Sequence, residues 1–126
     1  MADKFGKIVS VLEDLLKEED VLASVVAISS GGTVSPTADK FKIKNIAFWG
    51  MVNNTMNEAF SIFGRFQPYG IDKMYFELGD YEIVFFQIDA KTILVCAIPA
   101  LANKGLLEVE IENARREIKG ILSSRE

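Results

Sequence analysis

Cys96 is the only thiol in a chain of 126 residues, and no histidine is present to activate it. A reactive thiolate needs cationic surroundings and solvent access. Cys96 instead sits inside the apolar run Ile93-Leu94-Val95-Cys96-Ala97-Ile98, where a small buried side chain is expected. The lack of histidine also removes the usual Ser-His and Cys-His nucleophile pairs and the commonest zinc ligand. Gly31-Gly32 falls in no phosphate-binding frame, since neither GxxxxGK[ST] nor GxGxxG occurs. A hairpin turn is its expected role. Glu18, Glu19 and Asp20 are adjacent in sequence, but metal ligands must converge in space, and a solvated turn is expected there. No catalytic, cofactor-binding or metal-ligating residue emerges, and the chain is not expected to be an enzyme.

Charge narrows the field further. The formal net charge is −4, which opposes a phosphate backbone unless basic residues gather on one face, and no large basic face is evident. Lys40, Lys42 and Lys44 alternate, so an extended backbone would aim all three one way. They are either a small steering patch or ordinary solvated lysines. Asn103 reads as the cap of a final helix, with Lys104 able to assist an anion there. Glu108, Glu110 and Glu112 read as a solvated helix face, with Glu112 positioned to pair with Arg116 at i, i+4.

Apolar periodicity sets the frame that must position these residues. Phe5, Ile8, Val9, Leu12, Leu15 and Leu16 recur at spacings of three and four, predicting a one-sided helix over 4–18. The β-branched stretch 21–29 predicts a strand. Ser30-Gly31-Gly32 turns it into Thr33-Val34-Ser35, which Pro36 ends. Residues 37–44 read as a loop or short edge piece. Residues 45–66 predict the longest helix, with Asn45 as its cap. Three strands follow at 74–78, 81–88 and 92–98, separated by gaps of hairpin size. A last helix covers 104–122. Strands joined by tight turns pair antiparallel. Strands 81–88 and 92–98 are apolar at nearly every position, so their sheet should be covered on both faces. One domain, 1–126, accommodates all of this. The first twenty residues carry no apolar leader-like core, and no stretch is long and apolar enough to span a membrane. A cytoplasmic location is expected.

The middle helix carries more apolar surface than one contact needs. Phe48, Met51, Val52, Thr55, Ala59, Ile62 and Phe66 form one side of an arc, and Trp49, Met56, Phe60 and Phe63 continue it to roughly 180°. A helix lying on a sheet needs only about 100°. The surplus must meet either a second chain or a nearby loop, 37–44 or 66–72. The arc alone leaves open which stripe faces the sheet. Strand 74–78 is short and reads as a sheet edge with Met74, Phe76 and Leu78 on one face, which invites pairing with another copy. The expected partner surface is Phe48, Met51, Val52, Thr55, Ala59 and Ile62, together with Met74 and Phe76.

Four features together resemble the Roadblock/LC7 (dynein light chain-like) family across nearly the whole chain. They are the order helix-β-β-helix-β-β-β-helix, the hairpin VVAISSGGTV, the long apolar middle helix, and the strand TILVCAIP followed by ALANKGLLEVEI. Within the last piece, Asn103, Gly105 and Leu106 match the family's habit at the start of its final helix. Ser30-Gly31-Gly32 departs from the acidic residue usual at the first turn. The resemblance implies an α/β (α+β) fold: a profilin-like three-layer sandwich with a central five-stranded antiparallel sheet and helices on both faces. It implies a homodimer, or a heterodimer with a related domain, through the middle helix and third strand. It further implies a non-catalytic adaptor that binds a small Ras-like GTPase and modulates its nucleotide cycle or localisation, or serves a motor complex. The alternative is a small-ligand sensor on the same profilin-like frame.

Overall fold

The computed structural model describes residues 3–44 and 46–124, with residues 46–48 described by their backbone alone. Helix α1 spans Lys4–Leu15. It begins where the Asp3 carboxylate accepts the Gly6 N–H at 2.6 Å, satisfying one of the donors that a helix start leaves free. It ends three residues short of the predicted 18, because Lys17 and Glu18 donate instead to Asp14 and Leu15 in tighter turns. Strand β1 (Ala23–Ile28) and the two-residue strand β2 (Thr33–Val34) form the first hairpin. Gly31 takes φ +108° at its turn, which a side chain would resist.

Helix α2 covers Ile46–Phe66, and its predicted cap, Asn45, lies outside the described residues. Strands β3 (Lys73–Leu78), β4 (Tyr81–Asp89) and β5 (Thr92–Pro99) then form a meander. Between β3 and β4, Gly79 adopts φ +65° as the first of two turn residues, the place where a tight hairpin wants glycine. Helix α3 (Lys104–Ser123) closes the chain. Asn103 stands at its cap position, but its side chain makes no capping hydrogen bond.

All pairings are antiparallel and the strand order is β2-β1-β5-β4-β3, the predicted five-stranded sheet. β5 returns to lie beside β1, so β4 and β5 occupy positions flanked on both sides. Each is buried at almost every residue, as a strand covered on both faces must be. Helices α1 and α3 pack on each other and on one face. On that face the Ser24 hydroxyl donates to the Leu12 carbonyl at 3.0 Å, and Cys96, paired with Ser24 in register, is buried. Burial pushes the Cys96 thiol well above its ordinary pKa, so it stays a neutral core residue. Among the described residues, α2 is the one helix that crosses the opposite face.

The stretch between β2 and α2 is a strap rather than a loose loop. After a 3-10 turn at Ala38–Lys40, Phe41 and Ile43 are buried while Lys42 and Lys44 point outward. The Lys42 N–H donates to the Leu22 carbonyl at 2.8 Å, tying the strap alongside the sheet. The Lys42 ammonium reaches the turn after α1, within 2.8–3.2 Å of the carbonyls of Leu16, Glu18, Glu19 and Val21. These carbonyls belong to the turn that follows the C-terminus of α1, and a cation there also suits the helix dipole. Lys40 pairs with Glu13, and Lys44 donates to Ala38 and Asp39 carbonyls. The three alternating lysines are thus engaged within the chain, holding the strap.

Replacing Lys42 by Met should lower unfolding stability by about 1–2 kcal/mol, since several charge-assisted hydrogen bonds are lost together. Lys40→Met, which breaks one exposed, solvent-screened pair, should cost clearly less than Lys42→Met. Urea unfolding followed by circular dichroism measures both. Equal effects would contradict the strap's dependence on Lys42.

Candidate functional site

Four residues of α2 one turn apart, Val52, Met56, Ala59 and Phe63, face the sheet and are buried. The small side chains at 52 and 59 let the helix approach closely, and Met56 and Phe63 fill the space to their side. Val52 and Ala59, expected on the partner surface, therefore lie at 1% and 0% exposure against the chain's own core. No second subunit reaches them in this arrangement. Met56 and Phe63, assigned above to the other stripe, share their face.

The two shoulders of α2 have different fates. On one shoulder Trp49 stacks on Phe41 with ring centres 5.1 Å apart and donates its indole N–H to the Ile43 carbonyl at 3.1 Å. The strap therefore covers this shoulder, as the loop alternative allowed. Because the strap is tied to Leu22, just before β1, this is the β1 side of the sheet. The opposite shoulder turns toward the β3 edge. It carries Met51, which is 48% exposed, half-buried Thr55 and Ile62, and Phe66 at 41%. The Thr55 hydroxyl donates back to the Met51 carbonyl at 2.7 Å, which satisfies it without a partner. The Phe48 side chain lies outside the described residues.

The connection from α2 to β3 does not cover this shoulder. It makes a 3-10 turn at Gln67–Tyr69 and is exposed throughout, Tyr69 at 77%. The shoulder thus continues into Tyr69 and Ile71. These two apolar residues stood in plain view in the sequence, inside a segment read as a possible cover.

Strand β3 supplies the other half of the site. Its register sets Met74 opposite Phe85 and Phe76 opposite Ile83. Ile83 lines the α2 side together with Trp49 and Val52, so Met74, Phe76 and Leu78 face the same side as α2. All three are half-buried. Phe76 meets Phe85 edge-on at 5.3 Å. Among the described residues no further strand lies beyond β3. The structure thus brings Met51, Thr55, Ile62, Met74 and Phe76 to one side of one sheet edge and separates Val52 and Ala59 from them.

A charged clamp on the other face fixes where β3 begins. Arg115 of α3 binds Glu112 through two nitrogens, with contacts of 2.7–3.0 Å. It also donates to Asp72 at 3.0 Å and to the Gln87 carbonyl at 3.2 Å. Lys73 approaches Glu112 at 3.4 Å, and both Lys73 and Arg115 lie over the Phe86 ring. Arg116, the expected partner of Glu112, is a lesser one at 3.4 Å. The clamp leans on Asp72, 43 residues before Arg115 in sequence, which periodicity on α3 could not reveal.

At the C-terminal end of α2 a cavity of about 510 Å³ opens between Phe60, Phe63, Gln87, Asp89 and Arg115, but under the first half of α2 space for a bound molecule is minimal. The cavity bounded by Trp49, Val52, Ile83 and Val95 holds about 10 Å³, room for a single water at most, whereas ligand sites run to several hundred. Among the described residues no acidic or cysteine group is arranged to hold a metal ion, and no helix is long and apolar enough to cross a membrane.

No family model and no curated protein matches this sequence. Solved structures do. MglB of Myxococcus xanthus superimposes with a TM-score of 0.77 at 18% identity, over 94% of this chain and 97% of that one. A Roadblock/LC7 domain from Streptomyces avermitilis gives 0.68 at 14%, over 92% and 98%. An MglB described as having a tetrameric arrangement gives 0.75 at 12%, over 96% and 91%. At these identities the likeness establishes the fold: the chain has the Roadblock/LC7 architecture, an α+β sandwich of one antiparallel sheet and three helices.

The clamp makes stability depend on acidity. Burial works to raise the Glu112 pKa, but hydrogen bonds and charge from Arg115 and Lys73 outweigh it and hold it below the ordinary 4.5. A carboxyl lowered on folding contributes stability above its unfolded pKa and loses it as pH falls through its folded one. The urea midpoint should therefore decline as pH drops below about 4.5. Glu112→Gln should be less stable at pH 7 and show a shallower decline. An unchanged acid profile in that variant would remove the clamp from the account.

Proposed function

We propose that the chain is a non-catalytic adaptor that works as a dimer and binds a small Ras-like GTPase. The observation that carries this reading is the uncovered apolar band made by Met51, Ile62, Phe66, Tyr69 and Ile71, with Met74 and Phe76 beside it. Contiguous apolar surface on one side of an open sheet edge is what an association surface presents. A two-fold axis across β3 would bring two copies of the band together and extend the sheet from one subunit into the next. The Roadblock/LC7 architecture supports the same arrangement, and the resemblance drawn from the sequence supports the GTPase as partner, with the adaptor altering its nucleotide cycle or placement in the cytoplasm.

Ile62→Glu and Met51→Glu each place a carboxylate on the band, facing its own symmetry mate. Each should weaken self-association by roughly 100-fold or more, because central apolar contacts dominate such interfaces. Light scattering over a concentration series measures this, and both positions are exposed enough for the folded subunit to persist. A wild-type chain that stays monomeric throughout would end the dimer reading. For the GTPase, affinity capture from native extract followed by mass spectrometry should recover one. GTP hydrolysis by the purified chain alone would overturn the adaptor role.

A further inference from the structure

On the face opposite the apolar band, β3, β4 and the start of α3 border an open groove of about 330 Å³ lined by Tyr75, Glu77, Glu82, Lys104 and Glu108. The β3–β4 register sets Glu77 directly across from Glu82. Like charges so placed repel, and sequence patterning offers no reason for a buried glutamate at the start of a strand that is otherwise largely apolar. Glu82 is nonetheless 1% exposed. One of its oxygens takes the Lys104 ammonium at 2.7 Å. The other, Oε1, is fully buried and has no hydrogen-bond partner. Glu108 accepts the Tyr75 hydroxyl at 2.6 Å, which leaves its second oxygen available. Three carboxylates therefore face a single ammonium, and the Lys104 pKa is raised first by its hydrogen bond to Glu82 and then by charge from Glu82, Glu77 and Glu108. A buried carboxylate oxygen left unmatched carries its desolvation cost uncompensated, and such a group calls for an explanation.

What the groove lacks is a donor. The carboxylates are not grouped to hold a metal ion. A guanidinium suits them better: it is planar, carries five N–H donors, and can bridge carboxylates that a point charge cannot serve together. Lys104, with 43% of its side chain exposed, forms the movable wall, and the entering group shares or displaces its ammonium. We propose that this groove receives an arginine side chain from a partner protein. The site lies on the opposite face of β3 from the dimer band, and its test is read separately from that of the dimer.

The test is a nuclear magnetic resonance titration of the full chain with an acetylated, amidated Gly-Arg-Gly peptide, its citrulline analogue and agmatine. The expected result is saturable shifts centred on the amides of Tyr75, Glu77, Glu82, Lys104 and Glu108, with a dissociation constant on the order of millimolar. The citrulline peptide should produce none. Glu77→Gln, at an exposed position that leaves folding intact, should weaken the arginine peptide by about threefold, and the Glu77→Gln, Glu108→Gln pair by about tenfold or more. Lys104→Met, which removes the internal competitor, should tighten it. Shifts that fail to saturate, that spread over all acidic surfaces, or that survive the citrulline exchange would overturn the site. Agmatine binding more tightly than the peptide would overturn the protein source and leave a small-amine site in its place.

Discussion

Burial of β4 and β5 on both faces is the constraint from which the remaining architecture follows. Their side chains point alternately up and down and are apolar in both directions, so neither face can be left to water. A five-stranded sheet with strands about 4.8 Å apart is roughly 19 Å across. Two helices side by side, each about 10 Å in diameter, cover that width, and one covers about half. The chain provides α1 and α3 for one face and α2 for the other. The α2 face is therefore under-covered by construction, and something else must complete it.

The two flanks of α2 are treated differently. Toward β1, the strap brings Phe41 and Ile43 under Trp49, and Lys42 anchors it to the carbonyls after α1. Toward β3, nothing comparable is present among the described residues, and Met51, Ile62 and Phe66 join the half-buried row of β3 at the sheet edge. The strap is thus the internal counterpart of what a second subunit would supply. Its existence also explains why surplus apolar surface on a helical wheel overstates the area left for partners: part of that surplus is met within the chain.

The order of elements, the hairpins and the excess arc of α2 were legible because each is written in local spacing. Which side of the arc meets the sheet was not, since a wheel fixes angles between residues and carries no absolute orientation. Val52 and Ala59 were expected on the partner surface, but their smallness lets α2 settle onto Ile83 and Val95. Lys42 was legible only as one of three alternating lysines, because its acceptors are backbone carbonyls and leave no trace in residue type. Arg115 was passed over for Arg116 because the clamp depends on Asp72 and the Gln87 carbonyl, brought near by the fold. Asn103 had the right identity for a cap, yet the first-turn charge of α3 turned to Glu82 instead.

Strand β3 is the element that both candidate surfaces share. Strand alternation sends Met74, Phe76 and Leu78 to the α2 face, and Lys73, Tyr75 and Glu77 to the α3 face. Its start is held by the Arg115 clamp and its middle by the hydrogen bond from Tyr75 to Glu108. A strand fixed on one face cannot shift without disturbing the other, because a one-residue slip exchanges the two sets of side chains. An event that orders β3 from the apolar side therefore also sets the spacing of Glu77 from Glu82 and Tyr75 from Glu108. By linkage, occupancy of that groove acts back on the edge with the same free energy. The physical route for such coupling is short, since the two faces are the two sides of a single extended backbone.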